Sequence, residues 1–421
     1  VVVVALAAAG FAIAFRWTLA AIVLHYGNAH DLVGFMRGLP RWARFGLPAL
    51  GGLFAGLLVW LSRRFGSTQG VSDVMEAVVL GRVRLSLRVT LIKSLASWCA
   101  IASGGSLGRE GPLIQFGGAI AQFVSARLRL SATHSRRLIA AGAAAGFAAA
   151  YNTPFAAVLF VIEVVTGVVV LDAILPALVA TSIATALMRA SVGEAAIYGQ
   201  RVFHLEAPLE LLAFAGLGIA GAFAAQAFMR LLSLGEQLFR RSGLGLPWRP
   251  ALGGLLAGAC AAYLPEVAGN GYEPLNLLLD GEFTPGFVLL LMLGKSFATT
   301  ASVSSGSPGG VFTPTLLIGG ATGFLYAWVF SHFAQLGPAG GYALVGMAAA
   351  TAASTHAPLM AAVMVFELSG DYAIALPLVL ACALATLVSR RLRRDSIYAA
   401  ELKQRGIAWE LTIEGRRMMN S

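Results

Sequence analysis

Gly104-Gly105-Ser106-Leu107-Gly108-Arg109-Glu110-Gly111-Pro112 sets an Arg-Glu pair and a set of glycines between apolar runs long enough to be membrane segments. Pro112 suits the first turn of a helix, where no backbone N–H is needed, and the glycines before it let a ligand approach the backbone. The helix then continues through Leu113-Ile114-Gln115-Phe116. A helix N-terminus within a bilayer presents unpaired N–H groups and the positive end of a dipole, so it can bind an anion with no full positive charge beside it. Glu110 is an anion tethered at such a site.

The composition around this stretch fixes the class. Of 421 residues, 58% are hydrophobic and 12% charged, and the mean hydropathy is +0.78, against about 45–50% apolar and about 25% charged in soluble domains. The chain reads as a polytopic membrane protein. Charge-poor runs recur at 1–15, 46–62, 89–103, 138–162, 164–187, 208–228, 250–264, 286–303, 312–331, 337–366 and 373–389. Several fall short of the ~20 residues a spanning helix needs. Irregular backbone at membrane depth is tolerated only where protein or a water-filled cavity covers it, so the short runs imply broken helices lining a path.

The net charge of +10 sits in short loops, among them Arg82/Arg84/Arg88, Arg127/Arg129/Arg136/Arg137 and Arg390/Arg391/Arg393/Arg394. The positive-inside rule accounts for that excess, and no nucleic-acid partner is expected. Cys99, Cys260 and Cys382 lie in apolar runs without ligand spacing, which indicates core residues rather than a disulfide framework or a zinc site. The chain begins at Val1 without Met, already apolar, and reads as a trimmed N-terminus rather than a signal peptide.

The second half repeats the first at a nearly fixed offset. Lys93-Ser94 matches Lys295-Ser296, Gly104 matches Gly306, Gly108 matches Gly310, Pro112 matches Pro314 and Gly117-Gly118 matches Gly319-Gly320, all 202 positions apart. Pro154 then matches Pro358 and Glu163 matches Glu367, 204 apart. The loop 127–137 carries four arginines while its counterpart 329–339 carries no Lys or Arg, so the halves point opposite ways. Inverted repeats with paired Gly/Pro-interrupted segments place a substrate site at the repeat interface, here between 104–118 and 306–320.

Other residues join that site. In Gly309-Gly310-Val311-Phe312-Thr313-Pro314 the amides of Val311 and Phe312 would face the ion. The polar stretch Gly66 to Asp73 leads into a short helix from Ser72 or Asp73, a further helix N-terminus at the path. Ser396-Ile397-Tyr398 opens a last amphipathic segment, whose phenolic O–H can donate to an anion. Glu110 either pairs structurally with Arg109 or gates: ionised, it competes for the anion site, and protonated or swung aside it admits an anion. Glu163 and Glu367 are proton sites or, on the plainer reading, partners for a neighbouring helix end. The run Ala140 to Ala150 reads as tight helix packing.

Ser106 also satisfies the G-x-S-x-G pattern of a nucleophile elbow, which makes an intramembrane serine hydrolase the rival class. None of His25, His30, His134, His204, His332 or His356 sits in a partner motif for such a serine, and His356 opposes Asn152 of the other half as a polar turn.

Gly108-Arg109-Glu110-Gly111-Pro112 resembles the GREGP motif, and Gly310-Val311-Phe312-Thr313-Pro314 the GxFxP motif, of the CLC family of chloride channels and chloride/proton exchangers, with a resemblance over nearly the whole chain. The resemblance implies an all-α polytopic membrane protein, a CLC-type inverted repeat of tilted and broken helices. Residues 1–200 would be the first transmembrane repeat and 201–421 the second, with a C-terminal pore-lining helix. It implies a homodimer in the lipid bilayer with an anion path in each subunit, chloride ions as substrate, protons as a second substrate in the exchangers, and no cofactor or metal. By position, Glu110 resembles the external gating glutamate, the Val311 and Phe312 amides the central anion ligands, and Tyr398 the inner tyrosine. Arg109 and Gly111 flank the anion site, within the motif frame of Gly108, Pro112, Gly310 and Pro314.

Two departures bear on mechanism. Where the family has GSGIP, this chain has Thr68-Gln69-Gly70-Val71-Ser72. Gln69 stands where the anion-binding serine is expected, with Gly70 beside it, and Ser72 stands where proline is expected. Val164 occupies the position of the exchangers' inner proton-transfer glutamate, and Glu163 next to it is turned about 100° around the helix. Passive or weakly proton-coupled chloride transport follows, with a strict chloride/proton antiporter using another inner route as the alternative. The chain ends about twenty residues past Tyr398, without room for appended cytoplasmic nucleotide-binding (CBS) modules, and its compact form implies a bacterial inner (plasma) membrane.

Overall fold

The computed structural model describes residues 1–421 apart from 28, 30, 67–69, 194–196, 200, 202, 204–209, 334–335, 405–408, 413–414 and 419–421. Helices dominate. The first half comprises α1 (Val2–Gly27), α2 (Leu32–Gly38), α3 (Arg41–Ser62), α4 (Val71–Val79), α5 (Leu87–Ala102), α6 (Glu110–Arg127), α7 (Ala132–Tyr151), α8 (Pro154–Leu159) and α9 (Leu171–Val192). A π-helical stretch, Phe160–Thr166, extends α8. The second half comprises α10 (Glu210–Arg241), α11 (Trp248–Tyr263), α12 (Tyr272–Leu279), α13 (Pro285–Ser304), α14 (Phe312–Phe330), α15 (Ala339–Thr355), α16 (Pro358–Ser369), α17 (Ala375–Leu392) and α18 (Ile397–Gln404).

The helix ends fall where side-chain chemistry puts them. Ser86, Ser131 and Thr284 each accept the backbone N–H three residues on, capping α5, α7 and α13. Helices α7 and α15 both stop on a left-handed residue, Asn152 at φ 61° and His356 at φ 58°. Pro154 and Pro358 then open α8 and α16, where proline loses no hydrogen bond. The polar turn read from His356 and Asn152 is therefore the same turn in both halves.

Reciprocal contacts show how the halves are related. Where α3 crosses α11, a Cβ on Gly52 would lie 2.2 Å from the Pro250 carbonyl oxygen, and one on Gly254 would lie 2.0 Å from the Pro48 carbonyl oxygen. Gly52 and Gly254 are equivalent positions, as are Pro48 and Pro250. A contact that returns on itself when the halves are exchanged requires a two-fold relation, the inverted repeat expected from the loop charges.

Among the described residues, seven helices are long and apolar enough to cross a membrane. In six of them 39–44% of the most apolar window is buried, leaving most of it for lipid, whereas 72% is buried in α14, which protein surrounds. Helices α4, α8 and α12, of 9, 6 and 8 residues, are far below the spanning length and serve as broken segments. Residues 138–151 of α7 are wholly buried, so the Ala-rich run is packing. Of the cysteines only Cys382 is buried, with Cys99 and Cys260 half-buried.

Beyond α18 the chain forms an antiparallel hairpin of β1 (Trp409–Thr412) and β2 (Gly415–Met418), with Trp409 opposite Met418. The hairpin follows the amphipathic segment opened by Ser396-Ile397-Tyr398. The alternation Trp409-Glu410-Leu411-Thr412 carries the period of two that signals a strand.

Candidate anion path

The two glycine-rich loops meet back to back. Gly108 N–H donates to the Gly310 carbonyl at 2.7 Å and Gly310 N–H to the Gly108 carbonyl at 2.8 Å, an isolated antiparallel bridge between equivalent positions. Two residues beyond each glycine a helix starts, α6 at Glu110 and α14 at Phe312. The bridge thus brings two helix N-termini, each with unpaired N–H groups and a positive dipole end, to one place.

The Glu110 side chain reaches across to the other repeat. Its Oε1 accepts the Phe312 N–H at 2.9 Å and its Oε2 accepts the Thr313 hydroxyl at 3.2 Å, while Tyr151 and Thr313 pair their hydroxyls at 3.1 Å. Only glycines leave it room: a Cβ on Gly310 would lie 1.8 Å from Oε1, and one on Gly108 would lie 2.2 Å from Oε2. The carboxylate, 2% exposed, therefore rests where the N-terminus of α14 would hold a free anion.

A cavity of about 650 Å³ opens from this point. Its walls include Glu110, Gly111, Val311, Tyr398, Gly70 and Glu401, so residues from α4, α6, α14 and α18 share one space. Pro112 and Gly310 also line it, and Pro314 lies buried in the first turn of α14. Tyr398, 9% exposed, packs its ring edge-on against Phe160. Phe312 contributes its amide while its ring packs among Phe147 and Tyr151.

Some expected site residues lie elsewhere. The Arg109 guanidinium stacks over the Tyr272 ring at 5.0 Å, and its Nη2 reaches the Ala150 carbonyl at 3.5 Å, away from the cavity walls. It forms no ion pair with Glu110 within salt-bridge range, which corrects the structural-pair reading. Gln69 lies outside the described residues. Val164 is buried in the core, 1% exposed. The Glu163 carboxylate accepts the Leu359 and Met360 N–H groups at 3.2 and 2.7 Å, at the start of α16. Glu367 does the same for Phe155 and Ala156 at the start of α8, at 3.1 and 2.8 Å. The capping reading of both glutamates is the one the fold uses.

Ser106 is fully buried and pairs its Oγ with Thr299 Oγ1 at 2.8 Å, while its N–H donates to Ser302 Oγ. A threonine hydroxyl is no general base, so the hydrolase arrangement is not built.

Residues 51–390 match the model of the voltage-gated chloride channel family. The chain is a member of that family. Chloride channel relatives include a ClcB-like protein of Ralstonia nicotianae described as a putative chloride channel, 39% identical over 92% of this chain and 90% of the relative. A voltage-gated ClC-type chloride channel ClcB of Citrobacter koseri is 34% identical over 94% of this chain and 95% of the relative. Among solved structures, a slow cyanobacterial Cl−/H+ antiporter superposes with a TM-score of 0.83 at 26% identity, covering 96% of each chain. A CLC-type fluoride/proton antiporter gives 0.77 at 25% identity, covering 94% of this chain and 96% of the other. This CLC chain is thus an integral membrane protein of a chloride-transporting family.

Four polar residues of the CLC site escaped the sequence reading as participants. Thr313 and Tyr151 support the Glu110 carboxylate, and Ser72 bonds to Glu401 of the cavity wall. Thr313 lies inside the quoted motif, and Glu401 lies three residues past Tyr398, on the same helix face. Nothing in the local sequence marks Tyr151, whose role depends on how α7 packs against α14.

Proposed function

We propose that the protein moves chloride and similar small anions across a bacterial inner membrane through this cavity, gated by Glu110 and passive or weakly coupled to protons. The observation that carries the reading is the Glu110 carboxylate on the Phe312 N–H at 2.9 Å. A carboxylate held by a helix N-terminus occupies the position an anion would take, so its withdrawal opens that position. Gly111, Val311, Tyr398 and Gly70 line the rest of the cavity, and by position in the family motif Gln69 would join Gly70 as an anion-binding residue. Arg109 acts through the field it adds from behind the site rather than as a ligand.

Weak coupling is supported by Val164, which cannot carry a proton, and by the commitment of Glu163 to the α16 amides. A strict chloride/proton antiporter would need another inner route. The two repeats divide at 200/201, and the working unit is a homodimer with one path per subunit. Helices α9, α8, α16 and α17 pack in that order and carry the exposed apolar residues Leu175, Phe155, Leu359 and Leu376, which would suit contact with a second copy.

The test is chloride efflux from proteoliposomes with proton movement recorded at once, in the wild type and in Glu110→Gln. Chloride efflux without a fixed proton ratio is expected, and it should persist in Glu110→Gln. A fixed ratio that disappears in the variant would establish the antiporter instead, and absence of chloride efflux would sink both.

A further inference from the structure

The cavity is lined by a second glutamate besides Glu110 that belongs to the neighbourhood of Tyr398: Glu401 of α18, one helical turn further on. Ser72, the second residue of α4 and fully buried, donates its hydroxyl to Glu401 Oε2 at 2.7 Å. Gly70, the N-cap of α4, lies close enough that a Cβ there would be 3.7 Å from Glu401 Oε1. The carboxylate therefore lies beside the first turn of α4, held there by the Ser72 hydroxyl.

The turn at the start of α4 is closed without Glu401, because Asp73 accepts the Gly70 N–H at 2.6 Å. Proline at position 72, which the family motif would supply, has no hydroxyl to offer Glu401. We propose that Glu401 is a second carboxylate of the anion path, occupying its α4 side in competition with the transported anion and setting how strongly that side holds it. This rests on the reading that anions use the cavity.

The charges around the cavity are of both signs. Asp73 and Glu76 belong to α4, and Glu236 on α10 adds a further carboxylate to the cavity wall. Lys93 and Arg393 line the same cavity, with Arg63 and Arg249. On its own helix Lys403 is paired with Asp395 at 2.9 Å. An arriving chloride thus meets cations suited to attract it and, on the α4 side, a carboxylate of its own charge.

The experiment compares wild type, Glu401→Gln and Ser72→Ala as full chains. Chloride affinity is read by calorimetric titration of purified protein, and half-saturating chloride by proteoliposome efflux. Glu401→Gln keeps the size and removes the charge, and affinity should tighten about tenfold, a change within reach of removing one like charge at a few ångströms. Ser72→Ala frees the carboxylate from α4 without removing it and should shift affinity the same way by a smaller factor. It also keeps the proposal testable if Glu401→Gln does not fold. Unchanged affinity and half-saturation in a folded variant overturns the proposal while leaving chloride transport standing. Absence of chloride flux and chloride binding in the wild type overturns the transport reading and this one with it.

Discussion

Glu110 and Phe312, 202 positions apart in sequence, are joined by a 2.9 Å hydrogen bond from the Phe312 N–H to the Glu110 carboxylate. Each is the first residue of its helix, and each belongs to a different repeat. The bond therefore crosses the two-fold relation of the molecule at the point where two helix dipoles converge. One side chain fills a place made by both halves.

That place is shaped by glycine. The three atoms nearest a Cβ on Gly310 all belong to the Glu110 side chain, at 1.8, 2.3 and 2.9 Å. Gly310→Ala should thus expel the carboxylate or strain the loop, lowering stability by about 1–3 kcal/mol, as overpacking does. With Glu110→Ala in the same chain the obstacle is gone, so the double variant should recover most of that loss. Thermal unfolding of the four proteins in one detergent checks this: additive effects would show that the alanine clashes with something other than Glu110.

The crossing of α3 and α11 makes a companion prediction. Because a Cβ on Gly52 or Gly254 would lie 2.2 or 2.0 Å from a backbone carbonyl oxygen of the opposite repeat, neither neighbour can rotate away as a side chain could. Gly52→Ala and Gly254→Ala should each destabilise by about 1–3 kcal/mol, and by similar amounts, since the positions are equivalent. Unfolding midpoints measured side by side decide it, and a harmless substitution at one position with a severe one at the other would contradict the reciprocal contact.

The fold was legible because its signals are local or repeated. Apolar runs too short to span, Pro154 against Pro358 and the arginine-rich loop 127–137 against its uncharged counterpart define broken helices in opposed halves without reference to any contact. The outer end of the site was legible for the same reason, since glycine before a helix start declares an exposed N-terminus. Arg109 was misplaced because sequence adjacency to Glu110 says nothing of direction: where α6 begins, neighbouring side chains leave on different sides. Glu401 and Ser72 come together from 329 positions apart, and no periodicity in either segment points to the other.

The reciprocal caps connect the fold to the coupling question. Glu163 accepts two N–H groups of α16, and Glu367 accepts two of α8. Each carboxylate satisfies donors that a helix start leaves unpaired, a contribution of about 1–2 kcal/mol for a cap. Glu163→Gln retains a carbonyl acceptor but loses the charge attracted to the dipole, so a loss of about 0.3–1 kcal/mol is expected, and Glu367→Gln should match it. Alanine at either position should cost the larger amount. Chloride flux per folded protein and any proton movement should be unaltered in the glutamine variants, because the Glu163 carboxylate is engaged with α16 rather than the cavity. Paired unfolding and proteoliposome measurements check both halves of the statement. Proton movement abolished in Glu163→Gln alone, with stability unchanged, would make Glu163 a proton carrier and return the antiporter to first place.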